Sequence, residues 1–316
     1  MLYNISAEER NGWRAARQHY QRRAKRWVVK VGTSSLLRDD ASLDQEKIEH
    51  LLMQVVAMQG EGMEVVVVLS GAVGVGANRL CQAVSTLTER ERKVAASIGQ
   101  SRIVHALLEA SARLRSTVQE PVEISQVLFS RDDFSYRKRY RNACVLLRDL
   151  LRAETVPVIN ENDVIGGRAH SLGNNDRVAA LIASMVDADL LVLLTDQQGL
   201  YTSNPKENKH ARLITEGIAE DPQLLQMAKG EGEFGTGGMQ TKLLAARMAA
   251  QCGIHTVIAA SSVPNVLLRL STGEAVGTFL YQQRNVNRSR VHRRMALFAR
   301  TWFRHASARD VPLGAR

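Results

Sequence analysis

Cysteine is scarce in this chain: three among 316 residues, Cys81, Cys144 and Cys252, all far apart. An odd count at wide spacing builds neither a zinc site nor a disulfide framework, and it suits a reducing compartment. The eight histidines form no H-x-x-x-H pair and no cluster. Neither a histidine base nor a protein-held zinc is expected. Long apolar runs are missing too, the clean ones being as short as Val65 to Leu69 and Leu190 to Leu194. A membrane span needs about 18 such residues. The start of the chain lacks the apolar stretch of a secretory signal. It is rich in arginine, as a transit peptide is, but Glu8 and Glu9 oppose that assignment. A cytoplasmic location is the expectation. Internal repeats, low-complexity segments and Pro/Gly/Ser linkers are absent as well.

Two common phosphate-binding signatures also fail. No G-x-x-x-x-G-K-[ST] occurs, which excludes a P-loop enzyme. Gly230 to Gly235 matches G-x-G-x-x-G in letters, but it follows a helix-like stretch rather than a strand, so a dinucleotide fold is not implied. There is no G-x-S-x-G elbow either.

What remains is an ordinary globular composition, 45% hydrophobic, enough to bury a sizeable core. The net charge of +10 is uneven. Residues 1–26 hold 7 Lys/Arg against 2 Asp/Glu, and residues 282–316 hold 9 Arg against one Asp. These segments carry +5 and +8, so residues 27–281 are left at −3. The high isoelectric point describes two basic tails around a mildly acidic core. We therefore divide the chain into a basic extension (1–26), one continuous α/β domain with two lobes (27–281) and a basic tail (282–316).

Within the middle segment, short apolar runs alternate with helical patterns. Strands are expected at 27–31, 65–69, 122–129, 156–159, 189–195 and 255–260. Helices are expected at 45–59, 91–114 (broken near Gly99), 139–152, 176–186 and 238–252. A basic helix at 6–26 precedes them, opened by a capping box at Ser6 to Glu9, with Trp13, Tyr20 and Trp27 spaced by seven. Such alternation indicates βαβ units and a mostly parallel sheet covered on both faces. In these sheets ligands bind beyond the carboxyl ends of the strands.

The strand ends are where the polar residues gather: Lys30 to Ser35, Ser70 to Gly74, Asn160 to Asp163 with Gly173 to Asp176, and Thr195 to Tyr201. A further loop, Gly235 to Lys242, opens a helix. Glycine lets the backbone approach a phosphate, a helix N-terminus offers free N–H groups, and lysine adds a point charge. Each feature has a plain alternative: a turn opening a helix for the last loop, a loop cap for Asp163, an edge-strand lysine for Lys30, a helix N-cap for Asp176. Together, lysines, glycine loops and carboxylates without a strong base suit phosphoryl transfer to a group already ionised at pH 7. Its loose transition state needs positioning and charge stabilisation above all.

Six segments in order carry a resemblance: 28–34, 69–72, 96–101, 157–163, 194–201 and 235–242. Together they resemble the gamma-glutamyl kinases of the amino acid kinase family, from about Trp27 to Tyr281. The resemblance implies an open αβα sandwich with a mostly parallel central sheet. It also implies phosphorylation of the L-glutamate γ-carboxylate by ATP, the first step of proline synthesis. Lys30 and Lys242 would then stabilise the moving phosphoryl group, and Asp176 would organise them. Substrate would be held by Ser70, Gly71, Ala72, Asn160, Glu161, Asp163, Asn174 and Asn175. ATP would lie on Lys30, Gly32, Thr195, Asp196 and the loop Thr236, Gly237, Gly238, Met239, Gln240, Thr241 and Lys242. Magnesium would arrive on the nucleotide. Feedback inhibition by proline, hand-over to a glutamyl phosphate reductase and homo-oligomerisation are implied by the same resemblance.

Three departures stand out. The family pattern Gly-Asp-Asn-Asp reads Gly173-Asn174-Asn175-Asp176 here, which removes a negative charge near the substrate ammonium, and Arg177 adds a positive one. A C-terminal domain of the RNA-modification type has no room after residue 281. Residues 1–26 precede the expected start of the kinase. Two alternatives stay open: a sibling kinase acting on another carboxylate or phosphate, and a nucleic-acid-binding protein on a kinase scaffold. The second would use Val291, Met295, Phe298 and Trp302, interleaved with arginines at helical spacing. Packing of that helix on the acidic core or on a neighbouring subunit is the preferred expectation, with no nucleic acid and no membrane as partner.

Overall fold

The computed structural model describes residues 7–38, 40–114, 122–165, 172, 174–228 and 238–283. Ser6 of the capping box, the Gly230 to Gly235 motif, residues 235–237 of the glycine-rich loop and nearly all of the basic tail 282–316 lie outside them. The chain begins with α1 (Ala7–Arg23), β1 (Arg26–Val31), α2 (Gln45–Gly60), β2 (Glu64–Val68), α3 (Ala72–Arg79) and α4 (Glu89–Leu114). Next come β3 (Ile124–Phe129), α5 (Arg131–Ser135), α6 (Arg137–Arg152), β4 (Val156–Glu161), α7 (Asn175–Met185) and β5 (Leu190–Thr195). A small hairpin, β6 (Leu200–Tyr201) and β7 (Leu213–Ile214), precedes β8 (Glu216–Ile218) and α8 (Pro222–Met227). Last are α9 (Met239–Ala250), β9 (His255–Ala260), α10 (Val266–Ser271) and β10 (Thr278–Tyr281).

Among the described residues, eight strands form one sheet in the order β3-β4-β2-β1-β5-β9-β10-β8. Every pairing is parallel except β9 with β10. Because side chains alternate along a strand, each strand feeds two cores. On one face Val28, Val66, Ile159, Leu191 and Ile258 meet α6, α7 and α9. On the other, Val29, Val65, Val158, Val192 and Val257 meet α2, α4 and α10. This is the expected αβα sandwich. Strands buried on both sides read as unbroken apolar runs, which is why Val65–Leu69 was legible.

Two expectations change. Helix α4 runs unbroken for 26 residues through Gly99. The glycine serves close approach instead: a Cβ there would lie 1.8 Å from the Ala72 carbonyl oxygen, and one on Gly76 would lie 1.8 Å from that of Ala95. Helices α3 and α4 thus touch backbone to backbone. The segment after Ser70 looked like a bare strand end but is helical from Ala72, since this contact overrides the poor helix propensity of a glycine-containing octapeptide. Gly99→Ala is expected to cost about 1–3 kcal/mol through overpacking. An unchanged melting temperature by calorimetry would show that the helices part freely.

The N-terminal helix is packed rather than pendant. Trp13 and Tyr20, seven apart, lie on one face, Trp13 against Tyr281 at 5.3 Å and Tyr20 against His255 at 4.3 Å between ring centroids. Arg17 between them is 1% exposed and donates to the Val276 carbonyl at 2.5 Å, beside the Phe279 ring. Burial lowers its pKa to about 10. Trp27, third in the series of seven, belongs to β1 and is fully buried there.

Candidate active site

Lys30 has the same parity as Val28, so it points to the face that carries α7 and α9. It lies in the central strand β1, between β2 and β5, so the edge-strand alternative fails. Helices α7 and α9 both start at this end of the sheet. Asp176 sits in the first turn of α7, and Lys242 in the first turn of α9. Lys30 Nζ is 2.9 Å from Asp176 Oδ1, and Lys242 Nζ is 3.4 Å from Asp176 Oδ2. Thr241 Oγ1 donates to the same Oδ2 at 2.9 Å. Asp176 is wholly buried, and the two lysines are 6% and 4% exposed. Burial holds the Lys242 ammonium below its usual pKa, Asp176 opposes that, and Lys30 adds to it. Two cations remote in sequence therefore share one buried carboxylate.

Asp176 is not its helix's N-cap. That role falls to Asn174, whose side-chain oxygen accepts from the Asp176 amide at 2.7 Å. So Asn174 has a local structural task. Arg177 is half-buried beside Asp176, and burial lowers its pKa against the pull of that carboxylate.

On the β2 and β4 side a polar pocket wall forms. Gly71, at φ 101°, caps α3 in the left-handed region, and a Cβ there would lie 2.7 Å from Thr33 Cγ2. Ser70 Oγ lies 2.9 Å from Thr33 Oγ1, tying this turn to the one after β1. Ala72 is buried at the first turn of α3. Asn160, at the end of β4, donates to Gln100 Oε1 at 2.8 Å and accepts from Asn175 Nδ2 at 3.3 Å. Asn175 Oδ1 is buried without a hydrogen-bond partner among the described residues. Glu161 accepts from the Leu172 amide at 2.6 Å. Burial, with Glu161 nearby, raises the Asp163 carboxyl to about 6, and Arg92 opposes the rise. Gln100 and Thr33 were not singled out as site residues. Gln100 lies within a recognised segment, but its partner is sixty residues away and invisible in sequence.

On the β5 side, Thr195 Oγ1 donates to Asp196 Oδ1 at 2.9 Å. Gly32 follows β1 with its Cβ position 3.5 Å from the Leu194 carbonyl oxygen. Gly238 caps α9, which opens with Met239 and Gln240. Thr236 and Gly237, like Gly173, fall outside the described residues. The candidate residues that are described thus gather along the carboxyl ends of β1, β2, β4 and β5.

Two lysines on one buried carboxylate, flanked by two helix N-termini at the end of a parallel sheet, form an anion-handling site of the kind a phosphotransferase needs. Residues 25–260 match the amino acid kinase family, and the chain belongs to it. More particularly, the similar curated relatives are named glutamate 5-kinase. That of Ectopseudomonas mendocina is 43% identical over 264 residues, 83% of this chain and 69% of the relative. That of Pseudomonas paraeruginosa is 45% identical over 263 residues, with the same coverage. Solved structures share the fold at lower identity. Carbamate kinase from Giardia lamblia bound to AMP-PNP superposes at TM-score 0.61 and 18% identity, covering 83% of this chain and 99% of that one. UMP kinase from Bacillus anthracis gives 0.56 at 18%, covering 83% and 97%.

Proposed function

We propose that this chain transfers the γ-phosphoryl group of ATP to the γ-carboxylate of L-glutamate, giving γ-glutamyl phosphate and ADP, the first step of proline biosynthesis. The carrying observation is the Lys30–Asp176–Lys242 arrangement, taken with relatives named for this activity. A carboxylate oxygen of glutamate attacks the γ-phosphorus, the bond to the β,γ-bridging oxygen breaks, and ADP takes the electron pair. The attacking carboxylate has an unperturbed pKa of about 4.3, so no proton must be removed and no general base is required.

Lys30 and Lys242 approach the transferring group from β1 and α9 and neutralise the charge that spreads over its equatorial oxygens. Asp176 aims both ammonium groups at one point and offsets the burial that lowers the Lys242 pKa. Both its oxygens are occupied by Lys30, Thr241 and Lys242. Magnesium would therefore be held by phosphate oxygens and water, and would supply further charge neutralisation on the nucleotide. Asp163 and the free acceptor of Asn175 hold the substrate ammonium, while Ser70 and the Gly71 and Ala72 amides hold a carboxylate. Asn160 and Glu161 brace this wall, and Asn174 fixes the start of α7. Gly32, Thr195, Asp196 and the 236–242 loop hold ATP.

Supported by the family likeness alone, we also assign the enzyme to the cytoplasm as a homo-oligomer, inhibited by proline and passing its labile product to a reductase. Among the described residues, no helix is long and apolar enough to cross a membrane.

Incubation with ATP, magnesium, L-glutamate and hydroxylamine is expected to trap a hydroxamate. A hydroxamate from aspartate or N-acetylglutamate, with none from glutamate, assigns the chain to a sibling activity. The pH profile gives a second check. Asp163 must be ionised to hold an ammonium, and its pKa is about 6. The kcat/KM for glutamate should fall as pH drops through that value, and Asp163→Asn should flatten the fall. A wild-type profile level down to pH 5 would remove Asp163 from substrate binding.

A further inference from the structure

The phosphoryl-transfer residues Asp176 and Lys242 belong to the α7 and α9 layer. A cavity of about 570 Å³ opens on the opposite layer, between α2 and the turn that leads from β9 into α10. Its floor is apolar: Val31, Leu51, Leu194 and Val263. Lys30, Ser70, Asp163, Asn175, Asp176 and Lys242 do not line it. The volume falls within the range of small-molecule sites, about 300–1,000 Å³, and an apolar floor with a few convergent polar groups is their usual chemistry.

The polar groups stand on two walls. On the α2 wall stand Lys47 and His50, three residues apart in the first turns of that helix. Both are exposed. Lys47 Nζ touches the Leu37 carbonyl at 2.6 Å and Asp44 at 3.3 Å, near the helix N-terminus. On the β5 side stands the exposed carboxylate of Asp196. Hydroxyls fill the rim, where Ser35 Oγ donates to Ser261 Oγ at 2.7 Å. Behind them Gln54 locks the two helices together, donating to the His50 carbonyl and accepting from the Leu267 amide. The back wall is thus tied across from α2 to α10. A dianionic phosphate is disfavoured, because the Asp196 carboxylate faces the space. A molecule with one charge of each sign and an apolar body satisfies both walls and the floor.

We propose that this cavity is a second small-molecule site, one that takes a free apolar amino acid with its carboxylate toward Lys47 and His50 and its ammonium toward Asp196. Occupancy is linked to the nucleotide, because Asp196 is shared with the proposed ATP site and Ser261 donates its amide to the Thr195 carbonyl at 2.8 Å.

The probe is L-leucine, titrated calorimetrically into the full chain without turnover, so the result does not depend on whether glutamate is phosphorylated. Saturable one-to-one binding is expected. 4-Methylpentanoate, which lacks the ammonium, and isoamylamine, which lacks the carboxylate, should each bind about tenfold or more weakly, the loss of one charge-assisted contact. Lys47→Ala with His50→Ala should weaken leucine to a similar degree and leave basal ATP-dependent activity unchanged. Saturating ATP should weaken leucine, while saturating L-glutamate should not. The proposal is overturned by an absence of saturable binding up to 10 mM (about 10⁴ times a micromolar affinity), or by leucine binding equally to the double variant. Equal binding of 4-methylpentanoate, indifference to ATP, or displacement by glutamate would overturn it too, the last by placing leucine in the substrate cleft.

Discussion

Lys242→Ala is expected to lower kcat for glutamate phosphorylation by about a hundred- to a thousandfold, the usual effect of deleting one preorganised group that stabilises transition-state charge. The KM for glutamate should change little, because the lysine acts on the phosphoryl group rather than on the amino acid. The fold should survive. Asp176 keeps Lys30 at 2.9 Å and the Thr241 hydroxyl at 2.9 Å, so its buried charge stays compensated. Steady-state kinetics and a melting curve on the same preparation separate the two effects. A variant with wild-type kcat would take the lysine out of the chemistry. A variant that merely unfolds would show that its role is structural.

Asp176→Asn should do more harm. The asparagine keeps the shape and loses the charge, leaving two nearly buried ammonium groups without the carboxylate that joins them. Breaking a buried charge arrangement by removing one partner typically costs about 3–5 kcal/mol. For a domain of this size that corresponds to roughly 10 °C of melting temperature.

The pH dependence carries its own sign. Burial already holds Lys242 below the normal lysine pKa, and Asp176 is the chief influence raising it. Without Asp176 the lysine loses its proton at a lower pH, so the alkaline limb of kcat moves toward neutrality. Since its folded pKa lies below its unfolded one, the variant's stability deficit should shrink as pH rises through the folded value. An alkaline limb identical to wild type, with an unchanged melting temperature, would mean that Asp176 does not govern the lysine pair.

Much of the fold was legible because parallel strands buried on both faces write themselves as short apolar runs, and α2, α6 and α7 carry helical periodicity between them. What escaped notice depends on contacts. Strands β8 and β10 are short and gain meaning only by pairing with each other and with β9. Helix α3 exists against its own propensity because α4 presses on it at Gly76 and Gly99. The same contact turned an expected helix break into a continuous helix.

The candidate site divides in the same way. Lysines, aspartates, asparagines and glycines at strand ends are a property of the chain, and so is the family they resemble. The parity that puts Lys30 on one face of β1 can be counted in sequence. The sequence alone thus determined which residue types stand at the ends of which strands, because local patterning follows from period and composition. That Lys30 and Lys242 converge on a single carboxylate was decided only by tertiary structure. So were the Gln100–Asn160 bond and the cavity between α2 and α10. Each joins segments separate in sequence, whose distance is set by how two helical layers pack on one twisted sheet.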